Sequence, residues 1–339
     1  MKKLVLKCCC FLFFVSSFST YGQYTEVINS NKPGFSESPY SVGKGIYQFE
    51  SNLFFRNTYI EPTFSRPQSL GFDLLFRTSF FLEKLELNLQ TSYQRDKIAF
   101  KNIFTSHYFS SGLSKLTLGA KYLVYQQEYD DKSKEVRSWK KRHAFDYKRL
   151  IPSVAIYVGM NTDFVSDIYK TGSISPKIGV LLQQNLSTKT NVITNVFYDR
   201  LGTDFSEFSY IITGTYNFTD RWSTFIENQT VFQKTQNNIN LGTGLAFLYN
   251  NNIQLNSSVR FLVEGETNGF YAGFGVSFRI DKHKDNFKVL DDKGREIKET
   301  PISKYDKKQG GFFNRFFSIF KKKDKNRGTR PKRSRKKKN

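Results

Sequence analysis

The sequence predicts an all-β fold, an antiparallel transmembrane β-barrel of about twelve strands with a basic C-terminal tail on the periplasmic side. Three observations predict it. Apolar and polar residues alternate with period two over segments of about ten residues, the length of a tilted membrane strand. The links between these segments alternate between short and longer. The chain is rich in aromatics, with 35 Phe and 19 Tyr in 339 residues, yet its mean hydropathy is −0.50, and no apolar run reaches the roughly 18–20 residues of a membrane helix.

The first 22 residues read as a secretory signal peptide. Lys2, Lys3 and Lys7 form a basic start, Cys8 to Ser16 a short apolar core, and Thr20-Tyr21-Gly22 a small-residue cleavage pattern before Gln23. All three cysteines, Cys8, Cys9 and Cys10, lie in this segment, so the exported chain is expected to carry no disulfide and no thiol chemistry. Residues 23–44 then form a polar N-terminal segment, a candidate partial plug of the barrel that spans residues 45–280.

The strands follow in order. In Ile46–Phe55, Tyr47, Phe49, Leu53 and Phe55 oppose Gln48, Glu50 and Asn52. In Gly71–Phe80, Phe72, Leu74, Phe76 and Phe80 oppose Asp73, Arg77 and Ser79. In Leu85–Tyr93, Leu85, Leu87, Leu89 and Tyr93 oppose Glu86, Asn88, Gln90 and Ser92. Further strands are expected near 115–126, 150–160, 175–185, 190–199, 207–218, 221–233, 238–249, 252–263 and 268–279. The last reads FYAGFGVSFRI, with Phe270, Ala272, Phe274, Val276 and Phe278 toward lipid and Gly273, Gly275 and Ser277 inward. Links after the second, sixth, eighth and tenth strands are short. Those after the odd-numbered strands are expected to be longer, as outer loops are. Gln127–Arg149 breaks the rule, because it is a long basic stretch where a periplasmic turn belongs. An even strand count places both termini in the periplasm.

The segment Asn31–Ser51 resembles the opening of a bacterial outer-membrane family usually described as the putative MetA-pathway phenol-degradation transporters. The resemblance rests on Pro33, Ser38-Pro39, Gly45, Gln48 and Glu50, and on Leu116–Tyr122 (LTLGAKY), which is similar to that family's fourth strand. It implies a barrel over about residues 31–280 and passage of small apolar or aromatic compounds.

The candidate lumen-lining residues are Glu50, Asp73, Arg77, Glu86, Lys121, Lys177, Glu227 and Arg260. Glu50 is expected to stay hydrated or to pair with Arg77 or Lys121. The mixed signs suit charge pairs that hold the barrel's shape. A selectivity lining is the alternative.

Enzyme chemistry has little support. The only histidines, His107, His143 and His283, sit in a link, in the basic stretch and in the tail. No metal-ligand spacing or phosphate-cradling loop appears, so no cofactor or metal is expected.

The overall formal charge is +22, but residues 281–339 hold 22 basic and 8 acidic residues, a net +14. Export argues against nucleic acid as this tail's partner. Phe312, Phe313, Phe316, Phe317, Ile319 and Phe320 make one helical apolar stripe, followed by Lys321, Lys322 and Lys323. The stretch reads as an interfacial helix with a cationic anchor, as a solubilising tail, or as a helix that binds a partner. Its expected contacts are outer-membrane lipid, peptidoglycan or a periplasmic protein. Two functions remain: a channel or transporter for small solutes, and a structural or assembly barrel acting through its tail.

Overall fold

The computed structural model describes residues 25–59, 65–100, 107–128, 138, 146–234, 237–265 and 267–283. Twelve antiparallel strands close into a barrel, each paired with its sequence neighbour and the first with the last. They are β1 (Ile46–Tyr59), β2 (Ser65–Thr78), β3 (Leu85–Phe100), β4 (His107–Tyr125), β5 (Ser153–Asn161) and β6 (Ser175–Asn185). The second half comprises β7 (Thr190–Asp199), β8 (Glu207–Asn217), β9 (Trp222–Gln233), β10 (Asn237–Asn250), β11 (Ile253–Glu264) and β12 (Thr267–Asp281). The signal segment and the stretch 312–323 lie outside the described residues, as do residues 129–137 and 139–145 of the basic insertion in the β4–β5 link.

Closure follows from register. β1 pairs with β12 from Ile46↔Asp281 to Tyr59↔Asn268, so no strand edge is left open in the wall. Because side chains alternate along a strand, this register sends Gln48, Glu50 and Asn52 inward, where they are buried, and leaves Leu53 on the outside, 57% exposed. The same holds on β11, where Asn256, Ser258 and Arg260 are buried and Val259 and Phe261 are exposed.

Aromatic residues cluster at two levels of the outer wall. Near the rim that carries the 79–84 and 218–221 turns, Tyr47 meets Phe80 at 5.9 Å between ring centroids and Trp222 meets Phe247 at 4.7 Å. Further along the strands, Phe55 meets Phe270 at 5.7 Å and Phe208 meets Phe232 at 6.1 Å. From Tyr47 to Phe55 along a tilted strand is about 20 Å, close to the apolar height of an outer membrane.

Several expected boundaries are corrected. β1 runs on to Tyr59, β2 begins at Ser65, β3 continues to Phe100 and β4 begins at His107. The expected longer outer links after β1, β3, β9 and β11 are therefore short, namely 60–64, 101–106, 234–236 and 265–266. The polar residues assigned to loops extend the strands past the outer aromatic level instead. There both faces meet polar surroundings and the alternation loses its meaning. The fifth strand starts at Ser153, not near 150, because Tyr147–Leu150 forms a 3₁₀ turn that Asp146 caps by accepting from the Lys148 N–H.

Inside the wall, large aromatics lean across neighbouring glycines. The Phe54 ring covers Gly71, where a Cβ would lie 2.3 Å from its Cζ, and the Phe197 ring covers Gly179 in the same way. The rings thereby fill the lumen instead of the space between strands. Two inner apolar clusters result. One joins Leu123, Ala155, Tyr157, Leu181, Phe197 and Ile211, and the other joins Phe54, Leu262 and Tyr271.

Candidate channel site

Residues 25–45 contain no helix and no named strand. They lie inside the barrel, hydrogen-bonded to inward-facing side chains. A chain without regular structure cannot leave its peptide groups unpaired in a buried lumen. The lumen side chains supply the partners.

Three glutamates accept the segment's N–H groups. Glu50 on β1 takes the Asn31 and Lys32 N–H groups at 2.9 and 3.1 Å and the Ser30 hydroxyl at 3.0 Å. Glu227 on β9 takes the Phe35 and Ser36 N–H groups at 3.0 and 3.1 Å, with the Thr213 hydroxyl at 2.8 Å. Glu86 on β3 takes the Val42 N–H at 3.0 Å. Successive N–H groups converging on one carboxylate make a small anion nest, which offsets the cost of burying the charge.

The carbonyls face cations and amides. Asn29 accepts from Arg77 Nη1 and from Gln48 Nε2, each at 2.9 Å. Pro33 accepts from Arg260 at 3.0 Å, and Ser38 from Lys121 at 2.8 Å. Thr25 and Glu26 accept from Arg279 at 2.7 and 2.5 Å. The Asn195 side chain brackets Glu37, accepting from its N–H at 2.7 Å and donating to its carbonyl at 2.8 Å.

The same charges bind one another. Arg77 pairs with Glu50 at 2.9 Å and with Glu86 at 2.8 Å, while Lys121 pairs with Glu86 at 3.0 Å, and all four side chains are fully buried. Arg260 pairs with Glu227 across the β9–β11 wall. Of the two partners expected for Glu50, the structure brings up Arg77, while Lys121 pairs with Glu86. Asp73 accepts from the Ser92 hydroxyl at 2.6 Å, and Lys177 lies 3.9 Å from Asp199. Glu50, Arg77, Glu86, Lys121, Glu227 and Arg260 thus form the network around the segment, and Asp73 and Lys177 sit apart from it.

The segment's apolar anchor is Phe35. Its ring packs against both inner clusters. The Arg260 guanidinium stands 3.6 Å from its centroid and the Tyr271 ring meets it edge-on at 5.7 Å. Sequence reasoning missed Phe35, Asn195 and Arg279. Continuing the inward alternation from Ser277 by two residues reaches Arg279, but nothing in the sequence marks Phe35.

Two cavities flank the segment. One, of about 580 Å³, reaches from Phe35 and Glu37 past Lys177 to Arg56 and Tyr169. The other, of about 360 Å³, opens toward the 218–221 turn at Trp222. Asn31, Lys32, Gly34 and Ser36 line both cavities, so this short stretch is the partition between them. Among the described residues no cluster of His, Cys, Asp and Glu could hold a metal ion.

A family model described as the putative MetA-pathway of phenol degradation matches residues 30–280. The chain belongs to this family. Among solved structures, an outer membrane channel from Pseudomonas putida F1 is similar at 11% identity and a TM-score of 0.52, covering 74% of this chain and 100% of that one. Two others are the transport unit of the autotransporter AIDA-I from Escherichia coli and the monoaromatic hydrocarbon channel CymD. The first has a TM-score of 0.44 at 9% identity, covering 74% of this chain and 93% of its own. The second has a TM-score of 0.40 at 8% identity, covering 71% and 90%. No curated protein matches the chain. The family member described here is a closed twelve-stranded β-barrel.

Proposed function

We propose that the protein is an outer-membrane channel for small, apolar or aromatic solutes, held closed by residues 25–44. The observation that carries this reading is the partition. Two cavities share one lumen, and a single irregular segment separates them. Six lumen charges, Glu50, Arg77, Glu86, Lys121, Glu227 and Arg260, then serve as the seat of a removable plug, since each binds the segment's backbone. The family description supports the solute class.

The orientation belongs to the same proposal. The Gly45 carbonyl accepts from the Lys282 N–H at 3.1 Å, so the entry to β1 and the exit from β12 share the rim that carries the short turns. That rim is the periplasmic one, reached after export by the signal segment 1–22. The tail 281–339 would then be periplasmic, within reach of lipid, peptidoglycan or a partner protein.

Liposome swelling with purified full-length protein tests the reading. Phe35→Ala removes the anchor that spans the lumen, and buried Phe→Ala changes cost about 3–5 kcal/mol. The variant is expected to raise the swelling rate for small neutral solutes several-fold above wild type. If neither protein, correctly folded, admits any solute, the channel reading fails.

A further inference from the structure

We infer that the larger cavity binds a small aromatic carboxylate, with Lys115 and Lys177 holding the anionic group. This rests on the channel reading and narrows its solute class. Lys115, on β4, lines the cavity from the strand two positions away from Lys177 on β6. Among the described residues its ammonium has neither an ion pair nor a hydrogen bond. The Lys32 ammonium, which also lines this cavity, faces the Phe35 ring at 5.8 Å, and the two cavity arginines are engaged. Arg56 pairs with Glu264, and Arg200 pairs with Glu207 at 3.2 Å.

Lys177 is only loosely paired. Its closest acidic oxygen, Asp199 Oδ2, is 3.9 Å away, while the other oxygen, Oδ1, accepts from Asn161 at 2.6 Å and from the Arg200 N–H at 2.8 Å. The Lys177 ammonium instead rests over the Phe197 ring, 4.4 Å from its centroid. An ammonium inside a barrel wall without a carboxylate partner is costly unless an anion or water meets it. One such group, Lys115, with the loosely paired Lys177 beside an aromatic wall, matches a carboxylate attached to a ring. Phe35 and Phe197 supply apolar surface, and the volume of about 580 Å³ admits a single-ring solute.

The carboxylates around the cavity limit where the anion can sit. Asp73 is held by Ser92 at 2.6 Å, and Glu207 is held by Arg200 and by Gln233 at 2.8 Å. Glu37, at the floor, has a buried Oε2 without a hydrogen-bond partner. Its charge opposes an anion, so the carboxylate must be held directly by the Lys115 and Lys177 ammonium groups, with the ring on the Phe35 and Phe197 surface.

Isothermal titration of the full chain in detergent tests this, with benzoate as probe, benzyl alcohol as its neutral counterpart and phenylalanine as the zwitterion. Benzoate is expected to bind saturably, benzyl alcohol at least tenfold more weakly, and Lys115→Met to lose tenfold or more of the benzoate affinity, as loss of a charged hydrogen bond implies. Lys115→Arg, with heat-modifiable gel mobility checked for each variant, should retain benzoate binding. Equal binding of benzoate and benzyl alcohol, equal binding by Lys115→Met, or absence of saturable benzoate binding would overturn the assignment. Tighter binding of phenylalanine that depends on Glu37 would overturn it too. Binding without permeation in liposomes would leave this site standing and remove the channel reading. Permeation without binding would do the reverse.

Discussion

Removing residues 25–44 is expected to turn a closed barrel into a steadily conducting one. The cavities of about 580 and 360 Å³ would merge, because Asn31, Lys32, Gly34 and Ser36 are the residues they share. A twelve-stranded wall is wider than the eight-stranded barrels that side chains fill, and narrower than the 16-stranded porins. Its own inward side chains, such as Phe54 and Tyr157, therefore leave a narrow path once the segment is gone. The rise in liposome swelling for small solutes should be on the order of tenfold, given that lumen width. The barrel should survive, because every strand keeps both ladder neighbours. Some cost is expected: Glu50, Glu86 and Glu227 lose backbone donors and must take up water. Persistent closure in a correctly folded deletion protein would mean that side chains, and not the segment, seal the lumen.

The second large effect is expected at Arg77. Its fully buried guanidinium reaches Glu50 at 2.9 Å, Glu86 at 2.8 and 3.0 Å, and the Asn29 carbonyl at 2.9 Å. Arg77→Met leaves Glu50 with amide and hydroxyl donors alone, and Glu86 with Lys121 and one N–H. Breaking a buried pair by removing one partner costs about 3–5 kcal/mol, since the remaining charge stays desolvated. The variant should show a clearly lower midpoint for heat-induced loss of the compact gel form, and faster proteolysis between residues 25 and 44. Adding Glu50→Gln and Glu86→Gln to Arg77→Met should recover much of the loss, because no unpaired charge is then buried. An unchanged midpoint in the single variant would show that water solvates this part of the lumen.

The wall was legible where it crosses lipid. In β1 the alternation of Tyr47, Phe49, Leu53 and Phe55 with Gln48, Glu50 and Asn52 carries the burial pattern itself, since lipid and lumen demand opposite side chains. It stopped being legible at Tyr93. From Gln94 to Lys97, β3 is polar on both faces, yet its ladder continues to Phe100. The inward charges were also legible as positions. Their partners were not, because Glu50, Glu227 and Glu86 bind peptide N–H groups, which every residue except proline carries and no side-chain pattern advertises. Lys115 was overlooked for a related reason. The β4 strand bulges where Ser92 pairs with Lys115 and Tyr93 with Leu113, which shifts the period-two count at that point. Of the tail that dominates the net charge, residues 284–339 lie outside the described residues.

If residues 25–44 plug the lumen, solutes pass only when the segment leaves its seat, and one crosslink tests this. The Ser30 and Ser277 hydroxyl oxygens are 2.7 Å apart, one on the segment and one on β12. The chain's only cysteines are Cys8, Cys9 and Cys10, so Ser30→Cys with Ser277→Cys in the exported chain would introduce a single possible disulfide. Single-channel recording of this protein in planar bilayers should show no openings when oxidised and wild-type openings after reduction. Openings that continue unchanged in the fully crosslinked protein, or failure of the two cysteines to join at all, would contradict the account.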